Sequence, residues 1–464
     1  MKIAVTMFPL DNLGGIVSCV ENAIAGFMEL GHTVDYYLLA WQDKFMKGKY
    51  SDRQLIRNKK DPWYQGCLYA AHQMKGWNFP LERKIPYKGE KNLRKAKRIL
   101  SKYDMVLWMI PVPTRQKQNK GNLDWIELYK ANSCNVLCSH DPHLINNYPY
   151  IYEIKENISG IATVHMAGYN NMKLGDVQSA LILNGKDLSQ YKRKYNYHKR
   201  SKGFLSLQTY KAYKRCEEIL RAIPYMHLDK IHMAGGGREQ AYMTSPDKCK
   251  EEYFCSRKYD PDLPRKYERK KMRIWDLALK HGMIWHHWIT PGFRDELLSE
   301  VRCLIDASWQ LHFAKAGGHF NRVFIDACAM GVVPIGRNFG ISDNSEGISP
   351  IFQPNKNYIM IPHDATPKEF AERVDAACNL PKKKWRSIIE NNYELMKHFD
   401  RKFQAQQFIN LSKGKKAGFF QDRKTRRTTD PLIITKSAKM MKDFFGQTKP
   451  IIHKEGIRNF MRKK

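Results

Sequence analysis

At 464 residues the chain is too long for one typical hydrophobic core and long enough for two domains. Apolar residues at 42% and aromatic residues at 12% exclude a disordered chain. The 79 lysines and arginines outnumber the 46 aspartates and glutamates, leaving a formal charge of +33 that points to a polyanion or an anionic membrane surface as partner.

The opening reads as strand, turn, helix, turn, strand. Ile3 to Phe8 form the first strand, Gly14-Gly15 the turn, and Val17, Val20, Ile24, Phe27 and Met28 recur at helical spacing. Gly31 ends that helix and Thr33 to Leu39 form a second strand, so the chain starts with a βαβ unit and a parallel sheet is expected. Residues from about 44 to 100 are less regular, with KNLRKAKRILSK reading as a helix. Strand-like runs follow at Met105–Ile110, Val136–Cys138, Ile161–Val164 and Ala180–Leu183.

After LILNGKDLSQYKRK the alternation restarts, with strands expected at Phe204–Leu207, Lys230–Ala234, Met283–His286, Cys303–Asp306 and Val332–Ile335, and a helix at Phe324–Met330. Two α/β units thus meet near residue 185. From residue 401 the composition shifts: 18 basic residues face 4 acidic ones, and KGKKAGFFQDRKTRR and GIRNFMRKK interleave cations with aromatics. The ten cysteines make no C-x-x-C pair and several lie in apolar runs, so reduced core residues are expected rather than a zinc site. No signal peptide is expected, because Met1-Lys2 leads straight into a strand, and no apolar run approaches the roughly 20 residues that span a bilayer.

Three stretches carry the chemistry. In DNLGGIVS, two glycines between the first strand and its helix let backbone N–H groups approach an anion, although a tight turn alone explains them equally well. The pattern is not G-x-G-x-x-G, so a dinucleotide fingerprint is not supported. In NVLCSHDPHLINN, a strand stops at His140-Asp141. Asp-Pro marks a turn in any case, but open α/β folds keep their active sites at such strand ends. In FNRVFIDACAMGVVPIG, Asp326 sits early on a helix with a face of small residues (Ala327, Ala329, Gly331), where a carboxylate can accept the two hydroxyls of a ribose or simply complement the helix dipole.

These segments resemble the GT-B nucleotide-sugar glycosyltransferases, whose two facing Rossmann-like domains enclose a cleft. KIAVTMFPLDNLGGIVS is similar to their first strand and glycine loop, LILNGKDLSQY to their domain crossover, and IDACAMGVVPI to their donor helix. The fold this implies is α/β, with parallel sheets in a domain at 1–185 on the acceptor side, a nucleotide-sugar donor domain at 186–400, and a basic C-terminal helical extension at 401–464. Within that group, Ser139-His140-Asp141, GGGREQAYMTSPDK and Asp326-Ala327-Cys328-Ala329-Met330-Gly331 resemble windows of the bacteriophage DNA α-glucosyltransferases, retaining enzymes that glucosylate hydroxymethylcytosine in DNA.

The resemblance implies roles position by position. His140 faces the transferred sugar and Asp141 lies near the acceptor hydroxyl as base. Lys211 in TYKAY matches a lysine that holds the diphosphate, and Gly14, Gly15, Gly236 and Arg322 fall in donor-binding positions. The usual arginine five residues before the lysine is replaced by Ser206, and Arg238 is the candidate to supply that charge. Asp326 matches the ribose-binding glutamate, while the family's other glutamate falls on Asn321, which leaves the sugar's identity open. No cofactor or metal is expected beyond the UDP-sugar donor.

For the acceptor, basic runs with interleaved aromatics suit a DNA backbone, and Lys192, Arg193, Lys199, Arg200, Arg423, Lys424, Arg426 and Arg427 are the candidate DNA-binding residues. Double-stranded DNA with hydroxymethylated bases is then the partner, with base flipping expected, no stable membrane association, and the cytoplasm of an infected bacterium as location. Two other readings stay open: a membrane-associated transferase of surface polysaccharide or glycolipid synthesis, and a non-catalytic DNA-binding protein on a degenerate transferase fold, motivated by Asn321 and Ser206.

Overall fold

The computed structural model describes residues 1–8, 15–40, 84–87, 89–111, 124–140, 149–164, 174–189, 191, 195–211, 214–287, 289, 291–308, 322–337, 352–362 and 364–418. Two parallel sheets dominate it. The first has seven strands: β1 (Lys2–Met7), β2 (Thr33–Ala40), β3 (Lys84–Pro86), β4 (Met105–Ile110), β5 (Asn135–Ser139), β6 (Ile158–Thr163) and β7 (Ser179–Leu181). Their spatial order is β3-β2-β1-β4-β5-β6-β7. The second has six: β8 (Ser201–Thr209), β9 (Lys230–Gly236), β10 (Met283–His286), β11 (Val301–Asp306), β12 (Val333–Gly336) and β13 (Ile359–Met360), in the order β10-β9-β8-β11-β12-β13. In both sheets the order reverses beside the first strand of the unit, which is where a doubly wound sheet opens a crevice at its carboxyl edge.

Burial explains why these segments are strands. β1 is buried from its second residue to its last, and β11 along its whole length. A parallel strand covered by helices on both faces reads as a continuous apolar run rather than an alternating one. Helix α1 (Gly15–Glu29) follows β1 and α2 (Glu90–Leu100) precedes β4. In the second unit, α3 (Cys216–Ala222) follows β8, α4 (Arg238–Thr244) follows β9, α5 (Pro291–Glu300) follows β10, α6 (Arg322–Ala329) precedes β12, and α7 (Pro367–Cys378) and α8 (Lys382–Met396) complete the layers. Thr366 caps α7 with a reciprocal capping box to Glu369.

Residues 401–418, expected to begin a basic extension, instead rejoin the first domain. Helix α9 (Arg401–Ser412) buries Ala405, Phe408, Ile409 and Leu411 in the same apolar cluster as β1, β5 and α1. Phe408 meets Phe27 of α1 at 6.2 Å between ring centroids. Gly26 makes the approach possible, because a Cβ there would overlap the Arg401 carbonyl. The charge count of the segment concealed this, since Arg401 and Gln404 are buried beside its apolar positions while Lys402, Lys413, Lys415 and Lys416 are exposed. The remainder of the extension, from residue 419, lies outside the described residues.

The chain crosses between domains twice, and the crossings hold each other. Lys186 and Asp400 form a parallel bridge, with Lys186 N–H donating to the Phe399 carbonyl at 2.7 Å and Arg401 N–H to the Lys186 carbonyl at 3.0 Å. The Arg401 guanidinium then pairs with Asp187 at 3.0 Å and with Glu29. The nine described cysteines form no disulfide. Among the described residues no helix is long and apolar enough to cross a membrane. Phe408→Ala is expected to cost roughly 3–5 kcal/mol, the usual cost of emptying a buried phenylalanine site, measured by chemical denaturation; a loss below about 1 kcal/mol would mean α9 is not part of the first core.

Candidate functional site

The acceptor-side candidate begins with a buried asparagine. Asn135 opens β5 with no exposed surface, and its amide donates to the carbonyls of Tyr129 (2.9 Å), Asn132 (2.7 Å) and Asn157 (2.8 Å) while accepting from Trp108 Nε1 at 2.8 Å. A buried amide with donors and acceptor all used fixes the start of the strand in one register. The strand ends at Ser139, and His140 emerges half-buried at the carboxyl edge, its Nε2 4.0 Å from the Cys138 sulfur. Burial pushes the Cys138 thiol well up, so it stays protonated and acts as a small apolar residue. Asp141 lies outside the described residues, as does Gly14; Gly15 is the first residue of α1.

On the second sheet, Lys211 follows the end of β8 and is exposed. Beside it β9 ends in Gly235-Gly236, buried and paired with β8 through Thr209 and Gly236. The Tyr210 N–H donates to the Gly236 carbonyl at 2.9 Å. Gly237 then turns with φ +152°, where a Cβ would stand 2.6 Å from the Tyr210 carbonyl oxygen. Only glycine suits that close approach, and it places Arg238 at the first position of α4. Ser206 is fully buried within β8 and accepts from Gln208 Nε2 at 3.3 Å. Asn321 and the side chains of Arg238 and Arg322 lie outside the described residues.

Asp326 is buried in α6, 7% exposed, and is bound by two cations. Lys186 from the domain crossover donates to Oδ1, and Arg294 from α5 to Oδ2 at 3.0 Å. Lys186 Nζ also lies 4.7 Å from the centre of the Tyr191 ring, and Arg294 donates to the Tyr191 hydroxyl at 3.1 Å. Burial raises the Tyr191 phenol to about 12, with Arg294 opposing the shift, so the hydroxyl stays neutral. Each carboxylate oxygen keeps lone-pair capacity beyond its one charged donor. Sequence reasoning missed both partners. Lys186 stands in the crossover segment NGKD, but nothing in its neighbours signals a partner 140 residues away. Arg294 carries no sequence signal at all.

Other charges at this edge are committed to structure. Arg337, 1% exposed after β12, pairs with Glu218 of α3 and donates to the Pro362 carbonyl at 2.9 Å. Asp306 ends β11 almost fully buried, accepts from the Ser308 N–H at 2.8 Å and faces Lys214 at 3.9 Å. Among the described residues no three His, Cys, Asp or Glu side chains gather as a metal site.

Of the expected DNA-binding residues, Lys199 is exposed, whereas Arg200 is not available. Arg200 is 3% exposed, and its guanidinium donates to the carbonyls of Leu298, Val301 (2.8 Å) and Met330 (2.7 Å), tying α5, β11 and the end of α6 together. A guanidinium buried inside the domain and bonded there to three backbone carbonyls cannot meet a phosphate, and that assignment is corrected. Lys192, Arg193, Arg423, Lys424, Arg426 and Arg427 lie outside the described residues.

No protein-family model matches the chain, and no curated protein matches it in sequence. Solved structures do. HepE from Anabaena, in complex with UDP and glucose, is 12% identical, with 89% of this chain and 100% of that one covered at a TM-score of 0.57. An alpha-glucosyltransferase in complex with UDP-glucose and DNA containing an abasic site is also 12% identical, with 89% and 99% covered at 0.56. The lipopolysaccharide outer core galactosyltransferase WaaB, in its apo form, gives 12%, 89% and 99%, and 0.53. The fold is therefore GT-B, with two parallel-sheet Rossmann-like domains.

Lys186→Met is expected to destabilise the protein by roughly 3 kcal/mol, because removing one partner strands a buried charge that Arg294 only partly meets. Combining it with Asp326→Leu should recover much of that loss. Additive losses in the double-mutant cycle would mean that the two groups do not interact.

Proposed function

We propose that the chain is a retaining glycosyltransferase that moves a sugar from a UDP-sugar to the hydroxymethyl group of a modified base, 5-hydroxymethylcytosine, in double-stranded DNA. The observation that carries this reading is a charge of +33 on a GT-B fold. Solved proteins of the same fold hold UDP or UDP-glucose, which supports a UDP-sugar as donor. One of them holds DNA, and a chain this basic has the electrostatics for that acceptor.

In this reading the sugar C1–oxygen bond to the diphosphate breaks, a bond from C1 to the hydroxymethyl oxygen forms, and UDP leaves with the electron pair. Negative charge grows on the diphosphate, so a cation fixed beside it lowers the barrier. Lys211 is the exposed cation at the end of β8, and Arg238 follows the neighbouring glycine turn. Asp326, steadied by Lys186 and Arg294, takes the ribose hydroxyls. On the opposite domain His140 faces the sugar, and Asp141 receives the proton of the attacking hydroxyl. UDP-sugar is the only small molecule the reaction needs.

UDP release stimulated by hydroxymethylated duplex DNA is the test. Asp141→Ala should lower turnover by about 10²-fold or more, the scale of lost acid–base help, with DNA affinity retained. Lys211→Ala should raise the donor KM and leave DNA affinity unchanged. Release stimulated by a lipopolysaccharide core oligosaccharide and not by DNA would replace the acceptor with a surface saccharide, the substrate class named for WaaB. Unchanged turnover in Asp141→Ala would remove that residue from the mechanism.

A further inference from the structure

Between α4 and β10 the chain builds a loop that closes on itself. Phe254 and Arg273 form an antiparallel bridge, and the Cys255 N–H donates to the Met272 carbonyl at 2.7 Å. The inner side is anchored in the donor-domain core. Cys255 and Leu263 are buried in one apolar cluster with Leu220 of α3. Asp260, 2% exposed, accepts from the Tyr225 hydroxyl at 2.8 Å. Arg221 of α3 lies over the Tyr259 ring at 4.7 Å. The loop is thus a fixed platform rather than a loose excursion.

Its outer side is dominated by cations. Arg265, Lys266, Arg269, Lys270 and Lys271 are exposed on the short helix Arg265–Arg269 and the turn after it. Arg257 and Lys258 are exposed on the other limb. Of the loop's carboxylates only Asp262 is exposed. Asp260 is buried, and Glu268 turns inward to accept from the Arg257 N–H at 3.1 Å and the Ser256 hydroxyl at 3.4 Å. Among the described residues none of these seven cations forms an ion pair.

Like charges held this close attract a layer of small anions, and a polyanion gains free energy by releasing them. An anionic bilayer would also attract the loop, but peripheral membrane sites add apolar residues that insert. No large apolar side chain is exposed between residues 255 and 272. The tyrosine rings there are instead covered by cations, Lys258 over Tyr259 at 5.2 Å and Lys266 over Tyr267 at 5.1 Å. A surface of charge without greasy anchors fits a phosphate backbone.

We propose that the loop between Cys255 and Met272 binds the DNA backbone on the donor domain, separately from the tail beyond residue 419. The choice of partner rests on the DNA-acceptor reading, while the surface itself does not. The test uses the full chain and the variant R265Q/K266Q/R269Q/K270Q, with the R269Q/K270Q pair as a milder version should the first fail to fold. Duplex DNA affinity should fall at least about tenfold near 100 mM salt, and the slope of log affinity against log salt should flatten by about 0.9 for each phosphate no longer neutralised. UDP affinity should stay the same.

Equal affinity and slope in wild type and variant would overturn the proposal. So would a variant that keeps DNA binding but loses binding to vesicles of phosphatidylserine and phosphatidylcholine, which would assign the loop to a membrane, and so would a wild-type chain that does not bind duplex DNA. Weaker DNA binding by the variant, together with no sugar transfer to DNA by the wild type, would uphold the loop and sink the acceptor reading.

Discussion

Two charges buried together, Lys186 and Asp326, tie the parts of this protein to one another. Both are nearly sealed from water, their side chains 7% and 10% exposed. Removing either charge from solvent is costly unless the partner and further hydrogen bonds compensate. Arg294 and the Tyr191 ring supply that compensation. The consequence is mechanical. Lys186 belongs to the segment that leaves the first domain, Asp400 and Arg401 to the segment that returns, and Asp326 to the helix that faces the donor in the proposed reaction. A change at the carboxylate is therefore felt at both crossings.

Parallel sheets do the rest of the positioning. Because all strands in a sheet run one way, all their carboxyl ends lie on one edge. On the first sheet that edge receives His140, held in register by Asn135 at the far end of β5. On the second it receives Lys211, the Gly235–Gly237 turn and Asp306. The helices α5 and α6 then deliver Arg294 from the first turn of one and Asp326 from the middle of the other. Arg337 at that edge is buried and paired with Glu218, whereas Lys211 is exposed.

How legible this was from sequence depends on the range of the interaction. The opening βαβ unit, the strand before His140 and the helix–strand pair around Asp326 are local patterns of buried residues, and the structure has them at Lys2–Ala40, Asn135–Ser139 and Arg322–Gly336. β3 and β13, three and two residues long, are too short to carry a period. The return of α9 to the first core was hidden because its inward face mixes Arg401 and Gln404 with Ala405, Phe408, Ile409 and Leu411, which blurs the apolar period. Arg200 shows the same limit from the other side: a basic run records charge, not where each guanidinium points, and this one points at three backbone carbonyls. Lys186 and Arg294 meet Asp326 across 140 and 32 residues, distances at which no spacing rule operates.

The most direct measurement is the mass of nucleosides released from DNA after incubation with the protein and a panel of UDP-sugars, comparing hydroxymethylated with unmodified duplexes. The account predicts the mass of one sugar added to the hydroxymethylated base alone. No added mass on either DNA, with UDP-sugar binding intact, would contradict it.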